Sequence, residues 1–230
     1  MGVRSIRSCT ADTVYLWDMR ALIFAHGDAP SAGLVASLNR PEDLVVAADA
    51  GARHALACGL LPDAVVGDLD SFGADPILPG AIPADRLHRA PALDTTDLEK
   101  AVAWAIGQGC TEIEVLGASG GRSDHALANL SVLKRHRGRA AIRIHDELFE
   151  ISLVHGEASI EGPPGTVISL VAIGPCLGVT TRGLRWPLTD FALEFGPRGV
   201  HNEIETSPAA VSVREGDLLL FRGRWIEKHA

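Results

Sequence analysis

Two aspartates separated by a single residue, in Gly67-Asp68-Leu69-Asp70-Ser71, follow the apolar run Ala64-Val65-Val66. If that run is a buried strand, the chain turns at Gly67 and carries both carboxylates onto the loop at the strand's C-terminal end. There they can reach a hard divalent cation and the phosphate oxygens it holds. A second acidic group, Asp94-Thr95-Thr96-Asp97, comes next along the chain, and Asp49 stands just after an earlier apolar run, Leu44-Val45-Val46-Ala47-Ala48. Two carboxylates ~4 Å apart repel by about 4 kcal/mol at an effective dielectric of ~20, so a cluster of three needs a cation beside it. Magnesium takes oxygen ligands and completes its shell with water and substrate phosphates, which suits a few aspartates. Taken singly, Asp68 caps a turn, Asp97 is a first-turn acid favoured by the helix dipole, and Asp49 makes an Asx turn. Their convergence on one sheet edge reads instead as a magnesium-nucleotide site.

A glycine-rich stretch, Gly117-Ala118-Ser119-Gly120-Gly121-Arg122-Ser123-Asp124-His125, follows another apolar run and opens a helix holding Leu127, Leu130 and Leu133. Glycines there let the backbone approach a phosphate, and free N–H groups at a helix start attract anions. Arg122 can clamp an anion with two donors. Asp124 either orients that guanidinium or caps the helix, and His125 is a packed or capping histidine before it is a proton carrier. The stretch is neither a Walker A loop nor a G-x-G-x-x-G fingerprint.

Positioning these groups takes a scaffold, and two rhythms describe it. From residue 21 to about 145, the runs 21–25, 44–48, 64–66, 113–116 and 140–144 read as strands, mostly buried on both faces, with helices between them. The clearest helix spans 96–108, where Leu98, Ala101, Val102, Ala105 and Ile106 share one face and Thr96 with Glu99 forms a capping box. This alternation implies a mostly parallel, Rossmann-like α/β sheet with ligands outside the strands' carboxyl ends. After residue 146 short β runs alternate with turn signals such as Gly162-Pro163-Pro164-Gly165 and Gly216-Asp217, the pattern of a β-sandwich or small barrel. The expected organisation is a disordered extension over 1–19, with Met19 the possible true initiator, an α/β domain over 20–146 and a β-sandwich over 147–230.

Composition excludes several classes. At 230 residues, 47% apolar and 22% charged, the chain can bury a real core. A net charge of -8 argues against nonspecific nucleic-acid binding. The one compact basic stretch, Lys134-Arg135-His136-Arg137-Gly138-Arg139, reads as a solvated last helical turn. Four cysteines, at 9, 58, 110 and 176, form no C-x-x-C, so neither a zinc site nor a disulfide framework is expected and a reducing cytoplasm fits. No run approaches the ~18 apolar residues of a membrane helix.

The set Ala48-Asp49-Ala50-Gly51-Ala52, Gly67-Asp68-Leu69-Asp70-Ser71, Asp94-Thr95-Thr96-Asp97-Leu98-Glu99 and Leu116 to His125 with Asn129 resembles the thiamine pyrophosphokinase family in order and spacing, over about residues 20–223. The resemblance implies an ATP-binding α/β domain, a C-terminal β-sandwich, and a homodimer with thiamine held between the α/β domain of one subunit and the sandwich of the other. It implies transfer of pyrophosphate from ATP to the thiamine hydroxyl, with AMP leaving. Asp68, Asp70 and Asp97 are then the magnesium and catalytic acids, with Arg122 beside them. Asp49, Asp94, Thr96, Gly120, Gly121, Arg122 and Asp124 would line the nucleotide site, and either Asp97 or Asp70 would take the hydroxyl proton. Gly183-Leu184-Arg185-Trp186-Pro187-Leu188 and Val200-His201-Asn202-Glu203 match the remaining family signatures. By that match Trp186 stacks on the cationic thiamine, Asn202 bonds its pyrimidine, and His201 stands where a serine is common. Ala50 stands where a second glycine-like residue is common. The other readings are a pyrophosphokinase for a different hydroxymethyl heterocycle, such as a pterin, and a noncatalytic nucleotide or thiamine sensor. A pure binder would have no need of three clustered carboxylates.

Overall fold

The computed structural model describes residues 19–91 and 94–226. The expectations for residues 1–18 lie outside that range. Five short apolar segments form the parallel strands of the first half: β1 (Met19–Phe24), β2 (Leu44–Ala48), β3 (Ala64–Gly67), β5 (Cys110–Leu116) and β6 (Ala141–His145), with β4 (Leu87–Arg89) added at the edge. Their centres are buried on both faces, which is why they read as unbroken apolar runs. Around them lie α1 (Ala32–Leu38), α2 (Ala52–Ala57), α3 (Asp70–Ala74), α4 (Leu78–Ala81), α5 (Asp97–Gly107), α6 (Ser123–Asn129) and α7 (Ser131–Arg135). Thr96 caps α5 by accepting from Glu99 N–H at 3.3 Å, and Leu98, Ala101, Val102 and Ala105 are buried, as the periodicity predicts. The expected single helix beyond the glycine-rich stretch is instead two short ones, and Leu127 is exposed while Leu133 is buried. No helix among the described residues is long and apolar enough to cross a membrane.

The second half is all β, as expected: β7 (Phe149–Val154), β8 (Glu157–Ile160), β9 (Thr166–Ala172), β10 (Cys176–Arg182), β11 (Phe191–Leu193), β12 (Asn202–Glu203), β13 (Ala209–Ser212) and β14 (Leu218–Ile226). Its strands do not stand apart from the first half. One sheet runs through both, in the order β12-β9-β14-β7-β6-β5-β1-β2-β3-β4, and β6 meets β7 antiparallel at Ile144 with Ile151 and His145 with Glu150. A second sheet, β11-β10-β13-β8, packs on its far end. Strand β14 serves two cores because side chains alternate across a strand. Leu218 and Leu220 join Ile168, Val179 and Val211 inside the sandwich, whereas Leu219 joins Val102, Val115 and Leu133 in the α/β core. The rhythm break at residue 146 is therefore a change in what covers the sheet.

A charged network is buried in the middle of that sheet. Glu114 of β5 accepts from Arg143 Nε and NH2 of β6 at 3.1 and 2.6 Å and meets His145 Nε2 at 2.5 Å. His145 Nδ1 in turn accepts from Arg224 at 2.6 Å, so Nε2 is the ring donor to Glu114. Arg20 of β1 pairs with Asp43 at 2.9 Å and lies 3.5 Å from Glu114. Burial pushes the Glu114 carboxyl up, but the hydrogen bonds of His145 and Arg143 and the charge of Arg143 outweigh it and hold the group down to about 2. The basic stretch that begins in the last turn of α7 is likewise more than a solvated turn: Lys134 and Arg137 both reach Asp217 at 2.8 Å, and Arg135 pairs with Glu99.

Candidate functional site

The C-terminal ends of β1, β2, β3 and β5 surround a cavity of about 550 Å³. Its walls bring together Asp49, Asp68, Asp70, Thr96, Asp97, Gly120, Gly121 and Arg122, residues drawn from four loops far apart in sequence. Asp94 and Asp124 do not line it; both are exposed. The turn after β3 comes at Leu69 and not at Gly67. Leu69 takes a left-handed φ of 65°, a conformation a branched side chain adopts at a cost, while Gly67 is the last residue of the strand. Gly67 is glycine for another reason: a Cβ there would sit 3.1 Å from both Asp49 Cβ and Asp97 Oδ1. The absent side chain lets the acids crowd together.

Oxygens of Asp49, Asp68 and Asp97 lie within 4.8 Å of one another. This trio differs from the one read from the sequence, in which Asp70 took the place of Asp49. Asp70 turns its carboxylate back on Ser71, accepting from that residue's N–H and from its Oγ at 3.1 Å, which lowers its pKa. Asp49, in the one-turn 3-10 helix after β2, is 4% exposed and accepts from Phe72 N–H at 2.9 Å. Burial raises its pKa; the Phe72 bond opposes that rise and the charge of Asp97 adds to it. Hard carboxylate oxygens at such spacing are the donor set magnesium uses. Thr95 also lines the space, and its buried Oγ1 has no hydrogen-bond partner among the described residues.

The glycine-rich loop forms the opposite wall. Gly27 N–H donates to Gly117 O at 2.7 Å and Asp28 N–H to Ser119 O at 2.8 Å, so the loops after β1 and β5 are laced together. Gly120, at φ 81°, faces Asp28 so closely that a Cβ would stand 2.0 Å from its carboxyl carbon. Arg122 donates to Asp124 through Nε at 3.1 Å and NH2 at 2.6 Å, a bond that holds the Asp124 carboxyl at about 2. Asp124 thus orients the arginine and stays out of the cavity. His125 is exposed and lines the cavity beside Asn129, whose Nδ2 donates to Ala118 O at 2.9 Å. Sequence reasoning missed His26, Thr95 and Lys100, which also line the space. Lys100 carried a usable signal, since it stands three residues after Asp97 on a capped helix, where side chains meet.

Trp186, His201 and Asn202 gather elsewhere, around a cavity of about 320 Å³ with Leu170 and Leu188 on the sandwich. Trp186 is 51% exposed and carries the Arg185 guanidinium 5.1 Å from its ring centroid. The carboxamide of Asn202 is buried and engaged by protein: Oδ1 accepts from Trp186 N–H at 3.1 Å and Glu203 N–H at 2.8 Å, and Nδ2 donates to Trp186 O at 2.6 Å. Asn202 ties down the Trp186 loop. His201 has φ 63° and its N–H donates to Ser169 Oγ at 2.9 Å.

Comparison with known proteins places these observations. Residues 35–144 match the family model described as "Thiamin pyrophosphokinase, catalytic domain", and residues 154–218 match "Thiamin pyrophosphokinase, vitamin B1 binding domain". The Arabidopsis thaliana protein "Thiamine pyrophosphokinase 2" is 31% identical over 153 residues, which cover 59% of this chain and 55% of the relative. This chain therefore spans little more than half the length of that plant relative. Thiamine pyrophosphokinase of Bacillus subtilis is 29% identical over 186 residues, covering 78% of this chain and 86% of the relative. The crystal structure of a Bacillus subtilis thiamine pyrophosphokinase superposes with a TM-score of 0.78 at 26% identity, over 89% of this chain and 98% of the other.

Proposed function

This chain belongs to the thiamin pyrophosphokinase family, and from that premise we propose that it transfers the β,γ-pyrophosphoryl group of ATP to the hydroxyl of thiamine, releasing thiamine diphosphate and AMP. The observation that carries this reading is the single cavity in which Asp49, Asp68, Asp97, Gly120, Gly121 and Arg122 converge at the carboxyl edge of the parallel strands. Phosphoryl-type transfer asks a protein for positioning and charge neutralisation more than for covalent chemistry. Asp49, Asp68 and Asp97 would hold Mg²⁺, which when bound neutralises and orients the phosphate oxygens. Arg122 lines the cavity with donors beyond the two that Asp124 engages, and these serve the polyphosphate. The hydroxyl proton would go to Asp97 or Asp70, both of which line the cavity. Trp186 offers its exposed ring to the thiamine cation, an interaction worth ~0.5 to 2 kcal/mol.

Sheet arithmetic supports a homodimer. The Trp186 pocket is lined by Leu170 of β9 and the nucleotide cavity by Ala25, just beyond β1, and β9 lies five strand spacings from β1. At ~4.8 Å per strand that is on the order of 24 Å, more than one small molecule spans. The sandwich pocket of one subunit would therefore serve the nucleotide cavity of its partner. The free thiols of Cys58, Cys110 and Cys176 support a reducing, cytoplasmic setting. Incubation with thiamine, ATP and Mg²⁺ should yield thiamine-dependent AMP together with thiamine diphosphate; formation of neither defeats the proposal.

A further inference from the structure

The acid cluster already has a cation of its own. Lys100 Nζ lies 2.9 Å from Asp97 Oδ1 and 3.9 Å from Asp68 Oδ2, and the lysine side chain is only 6% exposed. It lines the same cavity. Its stem belongs to α5, whose neighbouring Leu98, Ala101 and Val102 are packed into the core, and its ammonium is held at the acids. Such a lysine and such a carboxylate pair each cost free energy if left without the other. The same Asp97 Oδ1 also accepts from Asp68 N–H at 3.3 Å, so the lysine's partner is the atom that links the two metal-candidate residues.

We propose that Lys100 is a positioning residue that acts as the resident counter-cation of the cluster and couples entry of the divalent ion to arrival of the polyphosphate. Before ligands bind, Lys100 keeps Asp68 and Asp97 together against their mutual repulsion. It competes with a divalent cation for Asp97 Oδ1, and two positive centres at one carboxylate repel each other, so the metal alone binds weakly. Once Asp97 turns to the metal, Lys100, whose side chain is 6% exposed, loses its partner. A phosphate oxygen entering the cavity replaces that partner, and the nucleotide-bearing metal binds strongly. The polyphosphate, with its surplus of negative charge, is thus the ligand class that releases the conflict between the two cations.

This inference rests on the magnesium reading of the acids, and the test separates the two. Mn²⁺ is titrated by electron paramagnetic resonance into wild type, Lys100→Met and Lys100→Arg, first alone and then as its complex with a nonhydrolysable ATP analogue, with circular dichroism verifying the fold. Lys100→Met is expected to bind Mn²⁺ alone at least fivefold more tightly than wild type and the Mn²⁺-nucleotide complex at least fivefold more weakly. Lys100→Arg, which keeps the charge, is expected to retain the wild-type order. General damage to the site would weaken both affinities together and would overturn the proposal, as would unchanged binding of Mn²⁺ alone. If wild type binds Mn²⁺ neither alone nor with the nucleotide, the magnesium reading falls and this inference falls with it.

Discussion

Two charged clusters sit on one sheet and have opposite fates. In the middle of the sheet, Glu114 and Asp43 are matched by Arg20, Arg143, His145 and Arg224, and the carboxylates are almost fully covered. At the carboxyl edge, Asp49, Asp68 and Asp97 face a single lysine and an open cavity. Carboxylates whose partners are all protein cations hold strands in register; carboxylates in surplus at a cavity wall leave work for a ligand. The lesson is that neither burial nor a shifted pKa by itself marks function, because Glu114 has both and its partners lie wholly within the protein. What separates the two clusters is the residual charge.

The contrast can be broken most directly at the edge cluster. Asp97→Asn should lower thiamine-dependent AMP release by ~100-fold or more, about 2.7 kcal/mol in activation free energy, with little loss of melting temperature. Near-wild-type turnover would mean the surplus charge is decorative. Glu114→Gln should do the reverse, costing on the order of 2 to 3 kcal/mol of stability in urea unfolding at pH 7 while turnover per folded molecule holds. The pH sign follows from its depressed pKa. The carboxylate's contribution is present above its ordinary value of 4.5 and is lost as pH falls toward about 2, so wild type and variant should converge in acid. A gap that persists at low pH would assign the effect to packing.

Smaller effects test the sandwich pocket. Trp186→Ala should raise the KM for thiamine roughly 2- to 30-fold, matching the worth of one cation-aromatic contact, and leave the KM for ATP in place. Asn202→Leu removes the two hydrogen bonds that tie the Trp186 loop, together with a third from Glu203 N–H, and should raise thiamine KM by about 2- to 10-fold through the tryptophan. A normal KM in that variant, with the Trp186 fluorescence unchanged, would remove Asn202 from the recognition of thiamine.

Local information determined a great deal. The buried strands, the capped helix α5 and the shift to β structure near residue 146 were all legible, because burial on both faces leaves unbroken apolar runs and burial of one helix face a period of 3.6. The acids and the glycine-rich turn were legible too, since strand ends in a parallel sheet share an edge. Only the tertiary structure decided that Asp49 completes the trio while Asp70 turns to Ser71, that Lys100 pairs with Asp97 at the cavity, and that Asn202 is engaged by the Trp186 backbone. It alone carried β7 across the apparent domain boundary into one continuous sheet. The physical reason is the same in each case. Which element a residue occupies follows from its neighbours in the chain, whereas which atom its side chain finally meets follows from packing and hydrogen bonding between segments that the chain brings together only when it folds.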